Sequence, residues 1–334
     1  MRPEILAPVG SMEALNAALA AGCDAVYFGL PSFGARAFAN NFDLETTKEV
    51  IERCHLCGVK VYITMNTILY EDEIEDAYQM AKKVHSFGVD ALIIQDLGFI
   101  HLLHHRLPNL VLHASTQLSV SNPCQIEQLK KLGVKRVVLA RECSKEEIQA
   151  CVDTGIEVEV FVHGALCICY SGQCYFSSVH YGRSGNRGMC AQPCRMKYSL
   201  YEDGNEVDTH GDYVLSPKDL SLIDEVNTLA NTGVCSLKIE GRMKSAPYVY
   251  ESVSQVKKVL DNIERSTLDE QNLRVTFNRE YTLGHMYDAT GNELMNHKTC
   301  NHQGIEIGKV IKVNKNKICI QLTQDLHQND GIRF

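Results

Sequence analysis

Short apolar runs alternate with longer amphipathic stretches from the start of the chain. Glu4–Ala7, Ala25–Gly29, Val61–Thr64, Ala91–Ile94, Val111–Ala114, Arg136–Leu139, Glu157–Val162 and Cys235–Ile239 read as eight strands. Apolar positions at helical spacing predict helices over 11–21, 43–57, 72–87, 124–132, 144–154, 217–231 and 246–262. Gly22, Gly58 and Gly233 close three of them. Only the fifth and seventh strands lack a prompt, clear helix. Eight strands so alternated are the count of a (β/α)8 barrel of the TIM type. An open doubly wound sheet is the alternative, but no G-x-G-x-x-G follows the first strand. The barrel is expected over 1–264. Beyond about residue 265 the texture changes to short alternating runs, VTFNREYTLGHMY, IEIGKVIKV and KICIQL, broken by Gly and Asn. These predict a small β-rich appendage over 265–334. The chain stops at GIRF on what reads as the edge of a strand, so an incomplete module is expected.

With 334 residues the chain can bury a large core. Its first residues, MRPEILAPVGS, contain no signal-peptide core, and no apolar run is long enough to span a bilayer. A cytoplasmic protein with no membrane partner is expected, in which fourteen cysteines stay reduced and favour metal or catalytic roles. The net charge of −8 argues against a general nucleic-acid binder. One basic face would still suit structured RNA, and Arg183, Arg187, Arg195 and Lys197 follow one another with no acid among them. The alternative is a solvated loop whose arginines cap carbonyls.

That basic stretch belongs to the densest chemistry in the chain. Residues 159–197 carry Cys167, Cys169, Cys174, Cys190 and Cys194 among Gly, Ser and Pro. Cys167, Cys174, Cys190 and Cys194 are spaced C-x6-C-x15-C-x3-C. Four thiolates from one loop can hold zinc or an iron–sulfur cluster, and the absence of paired C-x2-C knuckles suits a cluster better. A disulfide knot or scattered buried thiols are the plain alternatives. Cys54 and Cys57 form a C-x2-C within an amphipathic helix, and His101, His104 and His105 stand in a helix ending at Pro108. Both read as structural.

In E-x-F-x2-G-A-L-C-x4-G-x-C-x2-S, starting at Glu159, the chain resembles the collagenase-like peptidase family U32. The resemblance extends to PEILAPVGS, LHASTQLS, RSGNRGMCAQPCR and SLKIEGRMKS, nearly the whole length. It implies a TIM-type barrel. Despite the family name, it also implies RNA hydroxylases acting on tRNA wobble uridine or a ribosomal cytidine, and partner proteins of oxygen-independent ubiquinone hydroxylation. The family's cluster cysteines map onto Cys167, Cys174, Cys190 and Cys194, leaving Cys169 outside. A 4Fe–4S cluster and prephenate as oxygen source follow from the same resemblance.

A barrel of this type carries its site at the C-terminal ends of its strands, and the seventh runs straight into the cysteine loop. The strand ends offer Asn66, Gln95, Asp96, His113, Ser115, Gln117, Arg141, Glu142, His163, Lys238, Glu240 and Arg242. Alternation puts Lys238, Glu240 and Arg242 on one side, fit for a dicarboxylate or phosphate, or else for an ion-pair network closing the barrel. His113, Ser115 and Gln117 share a side likewise, and His113 can act as acid or base or merely pack. His163 and Arg141 flank the cysteine loop, where they could tune a cluster or hold substrate. The catalytic candidates are thus His113, Gln117, His163 and Glu240. Arg141, Lys238 and Arg242 are candidates for prephenate, and Arg183, Arg187 and Arg195 for the RNA backbone. Arg279 and His285 could touch RNA or close the appendage.

Three functions are weighed. The first is an RNA hydroxylase forming a 5-hydroxypyrimidine. AQPCR leans toward the tRNA type, whereas NELMNHKTCNHQGIEIGKV resembles longer relatives that act on ribosomal RNA; tRNA is favoured. The second is a peptidase, for which no G-x-S-x-G or H-E-x-x-H is present, leaving Cys169 as a conceivable nucleophile. The third is a non-catalytic iron–sulfur partner of a second family member.

Overall fold

The structure is a computed structural model that describes residues 2–36, 41–315, 317–328 and 330–334. In chain order its elements are β1 (Glu4–Pro8), α1 (Met12–Ala21), β2 (Ala25–Gly29), α2 (Leu44–Leu56), β3 (Lys60–Met65), α3 (Ile74–Ser86), β4 (Ala91–Ile94) and α4 (Leu97–Arg106). There follow β5 (Leu112–Ala114), α5 (Pro123–Lys131), β6 (Arg136–Val138), α6 (Lys145–Val152), β7 (Glu157–Ala165) and α7 (Phe176–Tyr181). Next come β8 (Leu200–Glu202), β9 (Asn205–Val207), β10 (Asp219–Ser221), α8 (Val226–Thr232), β11 (Ser236–Ile239), α9 (Ala246–Leu260) and α10 (Thr267–Thr276). The last are β12 (Tyr281–Thr282), β13 (Gly308–Asn314) and β14 (Lys317–Leu322).

Strands β1 to β7 pair in parallel in sequence order, and β11 pairs with both β1 and β7, so the sheet closes into an eight-stranded barrel. The helices start where the sequence offers oxygen caps. Ser11, Asp43, Asp96, Asn122 and Ser144 each accept a backbone N–H of the first turn. Their apolar faces, with the outward strand residues Ile5, Val26, Ile63, Val137 and Leu237, form the main core between barrel and helices. A second apolar group, Leu6, Ala25, Tyr27, Tyr62, Ala91 and Ile93, fills part of the lumen. The barrel is therefore a packed core, not a pore.

Two stretches differ from the sequence expectation. The start of the helix expected over 217–231 is strand β10, and the helix itself is confined to Val226–Thr232. The cause is β7, whose last residues run beyond the barrel and leave ladder groups to satisfy. β10 answers them antiparallel, pairing Asp219 with Ala165 and Ser221 with His163. β12 then adds in parallel to β10. Val275 and Thr276, expected in a β-type run, end helix α10, which a Ser266–Asp269 capping box nucleates. Residues 198–215, between the cysteine loop and β10, hold the hairpin β8–β9. Its turn is Asp203-Gly204, both at positive φ, the sequence signal of a tight hairpin. IEIGKVIKV and KICIQL do give an antiparallel pair, β13–β14. Among the described residues no helix is long and apolar enough to cross a membrane.

Candidate active site

The lower lumen is ionic. Arg136, at the start of β6, reaches Glu4 of β1, Glu157 (2.9 Å) and Glu159 (3.4 Å) of β7. Lys238 Nζ of β11 donates to Glu159 at 2.8 Å and lies 4.4 Å from the centre of the Tyr27 ring. Burial pushes the Glu159 carboxyl up, but Lys238 and Arg136 outweigh it and hold it at about 2. His113 packs edge-on to Tyr62, 4.8 Å between ring centres. Burial, reinforced by Arg136, drives its pKa well below the usual histidine value, so the ring is neutral. Lys238 and His113, read as candidates at the mouth, thus stand in this inner network.

One layer up, at the C-terminal end of the strands, the charge balance inverts. Glu240, just past β11, accepts from Arg141 Nη2 at 2.9 Å and Arg36 Nη2 at 3.5 Å. Arg242 Nη1 donates to Thr64 Oγ1 at 3.0 Å, beside Gly29, where any β-carbon would collide with that guanidinium. Arg141 sits over Phe161, its Cζ 3.9 Å from the ring centre. Burial raises the Glu240 carboxyl, but Arg36, Arg141 and Arg242 overcome it and hold it at about 2. Burial, with Arg36 nearby, lowers the Arg242 guanidinium to about 10, still charged at neutral pH. Three arginines thus face a single carboxylate. Arg141 Nε and Gln95 Oε1 are buried there without a hydrogen-bond partner, an arrangement that a bound ligand would satisfy. Gln117 donates to the Asn66 carbonyl at 2.7 Å, and its own carbonyl accepts from Gln95 at 3.2 Å.

The cysteine loop roofs this mouth. Gly172 lies at φ 79° against the Gln117 backbone, where a side chain would collide. Ser171 N donates to Glu142 at 3.1 Å and Ser119 Oγ to the Ser171 carbonyl at 2.5 Å. Arg187 ties the far side down, donating to Glu73 and to the Ile68 carbonyl (2.7 Å) while covering the Tyr70 ring. Arg195 is buried: it donates to Ser216 Oγ at 2.7 Å, the Leu166 carbonyl at 3.3 Å and the Pro217 carbonyl. Arg187 and Arg195, read as RNA-backbone contacts, are therefore holding the loop in place. Arg183 remains exposed and donates to the Met189 carbonyl at 3.0 Å.

Four thiols of the loop lie within electrostatic reach of one another under this roof. Cys167 and Cys174 are in side-chain hydrogen-bond contact, Cys174 is within electrostatic reach of Cys190, and Cys194 is within reach of Cys167 and Cys190. Burial raises Cys167, Cys174 and Cys194 above the usual thiol value and so favours the protonated thiols, whose protons a metal would have to displace. Backbone N–H groups already point at sulfur: Cys169 at Cys167, Phe176 at Cys174, and Gln192 at Cys190 (3.3 Å). Such N–H···S bonds are what tune cluster thiolates. Donor type and amide support suit an iron–sulfur cluster. Among the described residues no three His, Cys, Asp or Glu side chains close to the spacing of one metal ion. Cys169 donates to the Gln173 carbonyl at 3.4 Å and is itself within electrostatic reach of Cys174.

Cys167 is also within reach of Arg36 and Arg141, which joins the thiols to the cationic mouth. His163 is not in that group. Its ring stacks on Tyr248 of α9 (5.6 Å) and meets Tyr281 of β12 (5.5 Å), and burial lowers it to about 4. Arg279 pairs with buried Asp219 of β10 (3.1 Å), a structural tie between β10 and the segment before β12. Arg36 is the residue that strand-end reasoning missed. It follows Gly29 by seven positions in a loop, and only the fold returns it to the mouth.

The sequence profile of peptidase family U32 matches residues 10–296. A 23S rRNA 5-hydroxycytidine C2501 synthase of Escherichia coli is 36% identical over 99% of this chain and 52% of its own length. A tRNA hydroxylation protein P1 of Bacillus subtilis is 40% identical over 78% of this chain and 63% of its own. A collagenase of Porphyromonas gingivalis is 34% identical over 92% of this chain and 80% of its own. The chain thus spans about half to two thirds of the first two relatives.

Proposed function

The chain belongs to peptidase family U32, and we propose that it is an RNA hydroxylase forming a 5-hydroxypyrimidine. The names of the ribosomal and tRNA relatives support the reaction class. The observation that carries the reading is the cysteine loop leaving the end of β7 over a mouth where Arg36 and Arg141 converge on Glu240. In this reading Cys167, Cys174, Cys190 and Cys194 hold a 4Fe–4S cluster, which when bound supplies the redox chemistry for oxygen transfer. Prephenate is the oxygen source. It is a dianion, and three guanidiniums against one Glu240 carboxylate leave a matching excess of two positive charges.

The chain's own residues bind and orient. Arg36, Arg141 and Arg242 take the two carboxylates, Arg141 Nε offering a free donor and Gln95 Oε1 a free acceptor for the hydroxyl. Glu240 holds the guanidiniums together before the ligand arrives. The Gly172–Gln117 contact closes the roof and excludes water. The target base must come out of its stack to reach this mouth. The resemblance of AQPCR to the tRNA-type relatives supports testing tRNA wobble uridine before a ribosomal cytidine.

Nucleoside mass spectrometry of RNA from a strain lacking the gene tests the reading. The 5-hydroxypyrimidine should disappear and return with the wild-type gene, but not with Cys174→Ala. An unchanged nucleoside profile sinks it. A peptidase is the second reading, favoured by the collagenase relative; gelatin cleavage by the purified protein, abolished in Cys169→Ala, would establish it. A partner role with a second family member would show instead as stoichiometric copurification.

A further inference from the structure

The hairpin β13–β14 has a feature that the barrel site does not use. Residues 308–322 carry Lys309, Lys312, Lys315 and Lys317 and no acidic residue, in a chain of net charge −8. The register sorts these side chains by face. Lys309 pairs with Gln321, Lys312 with Cys319, and Asn314 with Lys317, while Val310 pairs with Ile320 and Val313 with Ile318. Cross-strand partners point the same way, and successive residues of β14 point opposite ways. Gln321, Cys319 and Lys317 therefore share one face, and Leu322, Ile320 and Ile318 the other. Simple alternation along β13 would put Lys309 and Lys312 on opposite faces. The register shift at Ile311 brings them to the same one.

The result is a strand pair with Lys309, Lys312 and Lys317 on one face and Val310, Val313, Ile318, Ile320 and Leu322 on the other. The three lysines are exposed, and among the described residues none of them forms an ion pair with a carboxylate. Lys309 and Lys312 stand on the order of 10 Å apart along the strand. A row of unpaired ammonium groups on an otherwise uncharged face complements a polyanion. The apolar face turns away and is free to pack without burying the charges.

Resting on the reading of an RNA substrate, we infer that the basic face of β13–β14 grips the RNA backbone. Contacts of this kind set affinity and register and read no base. The grip supplements the barrel mouth, where the reacting base is held.

The test compares wild type, the triple variant Lys309→Gln/Lys312→Gln/Lys317→Gln and a control, Lys48→Gln/Lys82→Gln/Lys131→Gln. Binding of fluorescent unmodified tRNA is followed by anisotropy between about 50 and 200 mM salt, where phosphate contacts dominate the salt dependence. The hairpin variant should bind at least tenfold more weakly at the lowest salt. Its slope of log K against log salt should be shallower by about 2, at roughly 0.7 to 0.9 per lost contact. The control should match wild type, and all three should melt at the same temperature. If wild type binds and the hairpin variant binds equally well with the same slope, the grip is refuted while the RNA reading stands. Equal losses in the control refute it too. If wild type binds no RNA but does bind phosphatidylserine vesicles, both the grip and the RNA reading fail.

Discussion

Glu240→Gln is the most informative single change at the mouth. The amide keeps the size of the side chain and its hydrogen-bond acceptor but removes the one negative charge among Arg36, Arg141 and Arg242. The Glu240 carboxyl lies at about 2 against an ordinary 4.5, and the residue's side chain is only 14% exposed. At about 1.4 kcal/mol per tenfold, the charged form therefore adds about 3 kcal/mol of stability at pH 7. The sign follows from the depressed native value: the contribution is complete above 4.5 and declines as pH falls toward 2. At pH 3 about 1.4 kcal/mol should remain. Urea unfolding followed by circular dichroism, wild type beside variant, measures the difference directly. The expected gap is about 3 kcal/mol at pH 7, shrinking to roughly half by pH 3. A second consequence concerns the ligand: with Glu240 neutral, the arginines carry one more uncompensated charge, so prephenate should raise the melting temperature of the variant more than that of wild type. A variant as stable as wild type at pH 7 would refute the reasoning, because the three guanidiniums could not then depend on Glu240.

Other changes separate the parts of the site. Arg36→Ala and Arg141→Ala should each raise the KM for prephenate about ten- to a hundredfold, the loss of a charged hydrogen bond, with little change in RNA affinity measured by anisotropy. Gly172→Ala should push the cysteine loop off Gln117 and lower bound iron after anaerobic purification, while circular dichroism shows the barrel intact. Arg195→Met should destabilise the fold by about 1–3 kcal/mol in urea unfolding, because the Leu166 and Pro217 carbonyls lose their donor in a buried place.

The barrel was legible because each strand is a short apolar run and each helix has its own cap and periodicity, signals that need no distant partner. β10 was not legible. Its residues take strand form only because β7 overruns the barrel and offers free ladder groups, a tertiary cause. The four cysteines stood out by density in one loop. Their neighbours were harder to read. Lys238 and Glu240 are two residues apart on the same side, yet one closes an inner ion pair with Glu159 and the other collects arginines at the mouth. Alternation gives the side, not the depth. His163 shows the converse: it stands beside the cysteine loop in sequence, but it packs against Tyr248 and Tyr281. Arg36 needed the whole fold, since nothing local ties a loop arginine to a strand end far along the chain.

The most direct test of the proposed site is the iron and acid-labile sulfide content of the anaerobically purified protein, with its ultraviolet–visible spectrum. A 4Fe–4S cluster on Cys167, Cys174, Cys190 and Cys194 predicts about four of each per chain and a broad visible absorption. Both should be lost in Cys174→Ala and Cys190→Ala and retained in Cys169→Ala. Stoichiometric zinc, or no metal under strict anaerobiosis, would contradict the account and leave the cysteine loop a structural element over a barrel of different chemistry.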